Sequence, residues 1–409
     1  MNGLLFWREA DTAAKRALVA ASLGWMLDAF DVMLYALVLT SVRLDLGLTA
    51  EEAGGLQSLT LLASAAGGIA FGVLADRAGR TRALMLSVLI YSVFTAACGF
   101  AQTALQLAVF RIGLGIGMGG EWASGAALVS ETWPARHRGK ALGLMQSSWA
   151  IGYGLAALVA WFVQDVAGFG WRTVFFVGVL PAFFTFWIRR RVEEPPVWRE
   201  SRRRTSRVSV AQALTGSMLA ITIAVTLMNA STMFAWWGFN TWVPSYLRQP
   251  LADGGAGLSS AKMYWFIIAM QAGMWLGYVT FGFVSDVIGR KRTYLAYLLL
   301  AAVLVFAYTS VRTELALLLL GPITAFFATG YFSGFGAVTA ELYPTEVRAT
   351  LQGFTYNIGR VASAAAPYIV GSLTATEGYG AALSVTAAAY LVAAAFWIFI
   401  PETKGRVVA

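Results

Sequence analysis

Twelve long apolar runs, each parted from the next by a polar loop, constrain this chain more than any other feature. Inside hydrocarbon no water satisfies backbone N–H and C=O groups, so a spanning segment must be a helix or belong to a closed barrel. The runs lie at 17–41, 54–75, 83–101, 105–130, 141–163, 171–188, 214–245, 261–284, 293–311, 314–340, 349–373 and 379–400. A helix crosses the bilayer with roughly 17–25 residues and a barrel strand with about 9–11, so these runs read as helices. The fold class is therefore an all-α membrane protein with twelve transmembrane helices. Its composition, 58% hydrophobic and 12% charged, excludes a disordered chain and an ordinary soluble enzyme. One cysteine, Cys98, permits no internal disulfide, and one histidine, His137, permits no His-built metal cage. No catalytic constellation, metal or cofactor is expected. The first run is too long for a cleavable signal, and no small-residue cleavage site follows it.

Charge is sorted by side. Of the 30 Lys and Arg residues, 23 fall in the tails and loops on the side of the termini and five on the opposite side. Arg111 and Arg360 lie within spans. The positive-inside rule puts both termini in the cytoplasm and makes the bilayer, not nucleic acid, the reason for the basic excess. With no organelle signal visible, the membrane expected is a bacterial inner one. Eight of these cations fall in residues 189–213, which read as a cytoplasmic linker touching anionic lipid.

The halves also repeat. Gly72, Asp76, Gly79, Arg80 and Arg82 recur as Gly282, Asp286, Gly289, Arg290 and Arg292, an offset of 210. Glu131, Pro134, Arg138 and Gly143 keep that offset with Glu341, Pro344, Arg348 and Gly353. The expected organisation is a six-helix bundle at 1–188, the linker at 189–213 and a second six-helix bundle at 214–409.

This duplication, with the run Arg111-x-x-x-Gly115-x-Gly117-x-Gly119, resembles the major facilitator superfamily over nearly the whole chain. The resemblance implies two pseudo-symmetric halves rocking about a central site to give alternating access. Asp28-Ala-Phe-Asp31 is similar to the Asp-Gly-Phe-Asp of aromatic-acid proton symporters, with Ala29 in place of glycine. Glu341 to Arg348 and Tyr356 to Arg360 look like the tenth and eleventh spans of organic-anion symporters. Gly119-Gly-Glu121-Trp resembles sialate and lactate types. Pro401-Glu-Thr-Lys-Gly405 resembles sugar porters, but their paired glutamines in span seven are missing from 226–244. The resemblance further implies that Gly72, Asp76, Arg77, Gly79, Arg80, Glu131 and Arg138 form a conformational latch. Asp286, Gly289, Arg290, Glu341 and Arg348 form its second copy, weakened where Val287 replaces the usual arginine. Such a belt would close when the inner faces meet and break when they part.

Ionisable groups in hydrocarbon cost at least about 2.5–3.5 kcal/mol each, so each needs a reason. Asp28 and Asp31 lie roughly 18–22 Å in from Arg16 along a helix, and share one face. Two carboxyls so close do not both ionise easily, which suits a proton carrier; the other reading is a fixed structural pair. Arg360, about 18 Å beyond Arg348, lies at a similar depth. Its guanidinium either holds a substrate carboxylate through two parallel hydrogen bonds or pairs with an aspartate. Asn357 and Tyr356 are set beside it. In span seven, Asn229, Trp236, Trp237 and Asn240 offer amide donors among aromatic walls, a lining suited to a small organic anion with an apolar part. Trp242, Pro244 and Tyr246 read instead as an outer interfacial belt. Tyr35, one turn beyond Asp31, is a further pocket candidate. Glu121 is either a second titrating site or a buried structural carboxyl. Gly115, Gly117 and Gly119 read as close helix contact beside Arg111.

These readings combine into a monomeric secondary transporter, not an enzyme. It would move a small organic anion, a monocarboxylate such as lactate or pyruvate or a related acid, together with protons. A proton-coupled sugar or polyol carrier is the alternative and would not need Arg360 for substrate.

Overall fold

Each apolar run becomes helix, and the described residues contain no strand. The structure, a computed structural model, describes residues 5–134, 137–194, 216–343 and 348–404. A short helix, Leu5–Glu9, precedes the first span, Thr12–Leu46. Spans two to four are Ala50–Ala78, Arg80–Cys98 and Ala104–Thr132. The fifth, Arg138–Trp161, runs into a π-helical turn at Phe162–Val166, and the sixth comprises Trp171–Val177 and Leu180–Arg191. Spans seven to nine are Gly216–Arg248, Ser260–Ile288 and Arg290–Ser310, and the tenth joins Glu314–Gly330 to Phe332–Leu342. The eleventh runs from Arg348–Ser363 into the front of Ala365–Phe396; the twelfth is the remainder, because Gly378 breaks that helix at φ 77°.

Among the described residues ten helices are long and apolar enough to cross a membrane. The fourth span, which carries Arg111, Glu121 and Glu131, and the division at Gly378 bring the spans to twelve. Several helices outrun their apolar cores: the 35 residues of the first rise about 52 Å, well beyond the hydrocarbon. Two breaks have a common cause. Proline has no N–H to donate and crowds the carbonyl four residues earlier. Pro181 thus follows the end of Trp171–Val177, and Pro367 the end of Arg348–Ser363. Pro244 and Pro322 are absorbed within continuous helices.

The duplication persists in three dimensions. Gly79 and Gly289 each end one span and start the next at φ 119° and 114°, a conformation that disfavours any side chain with a Cβ. Within the first half the second span packs on the fourth and the first on the fifth; within the second half the eighth packs on the tenth. The halves meet where the fifth span lies on the eighth and the second on the eleventh. The linker expected at 189–213 lies largely outside the described residues, as do the side chains of Asp76, Arg138 and Arg348.

The two faces of this junction differ. Opposite the termini it is sealed: Arg43 donates to the Tyr379 hydroxyl at 2.7 Å, and the Tyr264 hydroxyl donates to Gln164 at 2.6 Å. Ser260 donates to Asp165 at 3.1 Å, and Tyr368 to Glu51. Backbones also close up there, since a Cβ on Gly54 would strike the Pro367 carbonyl. On the face of the termini, the matched glycines Gly72, Gly143, Gly282 and Gly353 all look onto open space.

Candidate functional site

Between the halves, at mid-depth, lies a partly open cavity with about 390 Å³ of empty space, some of it continuous with solvent. The first half contributes Trp25 and Trp149, the second Trp236 and Trp237, and the four indoles form one cluster. Ring centroids are 4.6 Å apart for Trp25–Trp149, 5.7 Å for Trp149–Trp236 and 4.8 Å for Trp236–Trp237. Arg360, 3% exposed, supplies the wall's cation. Its guanidinium carbon sits 5.2 Å from the centre of the Tyr356 ring. Tyr356 in turn stacks on Trp122 of the other half, 4.1 Å between centroids and 6° from parallel. That stack ties span four to span eleven beside the cavity. Gln146 and Tyr278 complete the polar lining.

Three carboxyl groups lie within electrostatic reach of one another behind this wall. Asp28 and Glu121 both interact with Arg360, and Asp28 interacts with Asp31. All three are at most 1% exposed, and no carboxyl oxygen of Asp28 or Glu121 has a hydrogen-bond partner among the described residues, whereas Asp31 lies against the Thr95 side chain. Glu121 rests on the first span at Gly24, where any Cβ would meet its Oε1. The two aspartates share a helix but not an environment. Asp28 faces the charges at the centre, whereas Asp31 faces Thr95 and Gly178 inside the first half.

Several other residues singled out from the sequence lie elsewhere. Tyr35 is fully buried, donates to the Ala53 carbonyl at 2.9 Å and lies under Arg111, whose guanidinium carbon is 3.8 Å from the ring centre. Arg111 also donates to Gln57, tying spans one, two and four together. Asn240 donates to the Trp236 carbonyl at 3.0 Å, Asn229 to the Thr355 carbonyl at 3.3 Å and Asn357 to the Gly353 carbonyl at 2.9 Å. These amides therefore satisfy backbone. Trp236, Trp237, Tyr356 and Arg360 line the cavity. In the glycine run, a Cβ on Gly115 would strike the Thr60 carbonyl, one on Gly117 the backbone of Tyr91, and one on Gly119 the Ser64 carbonyl.

Trp242 corrects an expectation. It is not part of an interfacial belt: it is fully buried, with Pro244 and Tyr246, and donates to the Pro367 carbonyl at 2.8 Å. An indole in a spanning helix earns a partner by packing inside the bundle as readily as at the headgroups. Conversely, Trp25, Trp149, Gln146 and Tyr278 had no signal beyond an aromatic or amide within an apolar run.

On the face of the termini the ion pairs seen among the described repeated charges lie within each half. Arg80 meets Glu131 at 2.8 Å, and Arg290 meets Glu341 at 3.1 Å and Asp286 at 2.6 Å. Arg77 points outward, exposed. Each half adds a glutamate that sequence reasoning missed. Glu194 accepts from Thr81 N and Arg82 N at 3.2 Å each, and Glu402 from Arg290 N at 2.8 Å and Lys291 N at 3.2 Å. Both therefore hold the first turns of spans three and nine, where helix N–H groups lack intrahelical partners. Partial burial opposes ionisation of Glu402, yet the backbone N–H groups of Lys404, Arg290, Thr403 and Lys291 outweigh it and hold its carboxyl below the usual range. The signal was a glutamate next to proline at the end of each half, offset by 208 and so out of the 210 register.

Known proteins resemble this chain in sequence and in fold. A cis,cis-muconate transport protein of Acinetobacter baylyi is 31% identical over 391 residues, covering 92% of each chain. A sialic acid transporter of Escherichia coli is 29% identical, covering 94% of this chain and 93% of that one. Among solved structures, the partially occluded inward-open xylose transporter of E. coli superposes with a TM-score of 0.77 at 19% identity, covering 97% of this chain and 100% of the other, a likeness of fold alone. The family profile described as Major Facilitator Superfamily matches residues 21–268 and again 225–408. The chain is an integral membrane metabolite transporter, not an enzyme, and belongs to the Major Facilitator Superfamily.

Proposed function

We propose that the chain is a proton-coupled symporter of a small organic carboxylate with an apolar body. The observation that carries this reading is Arg360: a buried guanidinium in the wall of an indole-lined cavity, with three buried carboxyls behind it, two of them within its electrostatic reach. A guanidinium keeps its charge when desolvated and matches a carboxylate's two oxygens. Three ionised carboxyls against one Arg360 would leave uncompensated charge in the bundle, a costly arrangement that protons relieve. When a substrate carboxylate takes Arg360, Asp28 and Glu121 lose their counter-charge, and a proton carried with the substrate restores neutrality. That exchange is the coupling. Asp31, set apart beside Thr95, relays rather than receives the proton. The names of the relatives, muconate and sialic acid carriers, agree with an acid as cargo.

With both termini cytoplasmic, as the Lys and Arg asymmetry favours, the face sealed by Arg43–Tyr379 is the outer one and the described state opens inward. A bacterial inner membrane is the setting, and residues 1–188 and 214–409 rock about the linker at 189–213. Arg80–Glu131 and Arg290–Glu341 are already paired in this state and brace each half, so the inner latch across the junction falls to Asp76, Arg138 and Arg348 when that face closes.

The test is purified protein in liposomes holding a pH-sensitive dye, with lactate, benzoate, sialic acid and neutral sugars added outside. Protein-dependent acidification with an acid, abolished by Arg360→Gln and corrected for passive permeation in empty liposomes, supports the reading. Acidification driven only by a neutral sugar, or undiminished in Arg360→Gln, refutes the carboxylate assignment.

A further inference from the structure

On the face of the termini the two halves part within one turn of helix. Gly68 of the second span packs on the eleventh, with Asn357 Oδ1 3.0 Å from where its Cβ would lie. One turn nearer the termini, on the same helix faces, Gly72 and Gly353 have nothing within 4 Å. Gly143 and Gly282 repeat that opening on the fifth and eighth spans, the other pair that meets across the junction. Along their helices these four glycines lie about 7–9 Å from the ends on that face, whereas Trp25, Trp149 and Trp236 of the cavity lie about 16–30 Å in.

Between those depths an aromatic pair joins the halves. Trp122 of the fourth span and Tyr356 of the eleventh lie about 15 and 12 Å in along their helices. They stack with centroids 4.1 Å apart and planes 6° from parallel. Each ring is also braced within its own half. Trp122 Nε1 donates to Gln146 at 3.4 Å, and Tyr356 packs against Phe335 with centroids 5.8 Å apart. Tyr356 lines the cavity on one side of this pair, and the open glycines lie on the other. Parting the two rings takes rotation of side chains, a smaller change than rocking two bundles whose far face is sealed by Arg43–Tyr379 and Tyr264–Gln164.

We infer that Trp122 and Tyr356 form a door at the cavity's exit toward the termini. Stacked, they narrow that exit; parted, they let cargo through while the opposite seal holds. The exit is narrowed and not plugged, in keeping with a cavity that stays in contact with solvent, so the door discriminates by size. The inference goes beyond the symport reading and depends neither on which cargo is carried nor on protons.

The experiment is thiol labelling of the purified protein. Cys98→Ala removes the native thiol, and Met233→Cys places a reporter in the cavity wall. N-ethylmaleimide is compared with a bulkier, biotin-bearing maleimide, each rate being divided by that reagent's rate at an exposed Gln102→Cys. In this parent the small reagent should react faster. Trp122→Ala and Tyr356→Leu, the second keeping apolar bulk for folding, should each raise the large reagent's rate about two- to tenfold more than the small one's, the worth of one aromatic pair. Trp122→Phe, which can still stack, should keep the parent's ratio. Spin labels at Gln102 and Thr313, on the sealed face, should hold their separation throughout; general loosening of the bundle would shift it and raise both labelling rates alike. An unchanged size ratio in both ring-deleting variants, a reporter that stays unreactive in them, or a ratio that changes only together with the Gln102–Thr313 separation overturns the inference. Each of these leaves the symport reading standing, since neither reagent reports on cargo or protons.

Discussion

Tyr379→Phe isolates one bond of the sealed face. Arg43 ends the first span, and its Nη1 donates at 2.7 Å to the hydroxyl of Tyr379, which begins the twelfth span just past the break at Gly378. Tyr379 is 5% exposed, so the bond is shielded in the sealed state. When spans one and twelve part, both groups gain water, and the bond favours only the sealed state. Hydrogen bonds to a charged group contribute about 1.5–3 kcal/mol net, and the half-buried Arg43 argues for the lower figure. At about 1.4 kcal/mol per decade, deleting the hydroxyl shifts the equilibrium about tenfold toward the state open on that face. A wild type sealed in about 99% of molecules would become open in roughly 10%. Cys98 is the sole cysteine and is buried, so a Cys98→Ala background is simple to build. Spin labels at the exposed Gln102 and Thr313, one in each half, report the separation as a distance distribution. A second, longer population should appear in Tyr379→Phe. It should appear equally in Arg43→Gln, and the double variant should add little, since both changes delete the same bond. An unchanged distribution in Tyr379→Phe, or additive shifts in the double variant, would refute the reasoning.

Three further outcomes are expected. Asp28→Asn and Asp31→Asn should each abolish concentrative uptake driven by a pH gradient while retaining substrate exchange; wild-type accumulation by either removes that residue from the coupling path. Gly119→Val should cost folded protein, because a Cβ there overlaps the Ser64 carbonyl and backbone cannot move aside cheaply. Gly143→Ala, facing open space, should leave melting unchanged or raise it, the helix gaining about 0.5–1 kcal/mol, yet slow turnover if that face must close; equal yields for the two variants on a size-exclusion column would contradict the packing argument. Glu402→Gln should lower the melting temperature at pH 7, and the gap from wild type should vanish on acidification. The sign follows from its depressed value: the stabilisation is full above the ordinary carboxylate value near 4.5 and is lost as pH falls through the lower, folded one. A gap that widens toward acid pH would overturn the cap assignment.

The spans, their number and the repeat were legible because they rest on local physics. A backbone in lipid must bond to itself, so apolar length alone predicts helix, and the 210-residue offset needs only two copies of one pattern. Gly79 and Gly289, matched in that repeat, both adopt positive φ. Arg360 too stood out, since a cation in an apolar run is conspicuous wherever it packs. What the helices face was not legible. Asp28 and Asp31 read as one pair, but three residues turn a helix by about 300°, leaving them some 60° apart. At a junction between bundles that angle separates the central charges from Thr95 and Gly178. Trp242 looked interfacial and is buried, whereas Trp25 and Trp149, which carried no signal of their own, line the cavity. Nor did the pattern tell that Arg80 pairs with Glu131 inside its own half. An indole in hydrocarbon gains similar transfer energy against lipid or against another helix, so composition cannot tell the two apart. Sequence thus determined how many helices cross the membrane and which polar groups cross with them; only the tertiary structure decided which of those groups share the cavity, because contacts between helices depend on rotation and register that lipid leaves free.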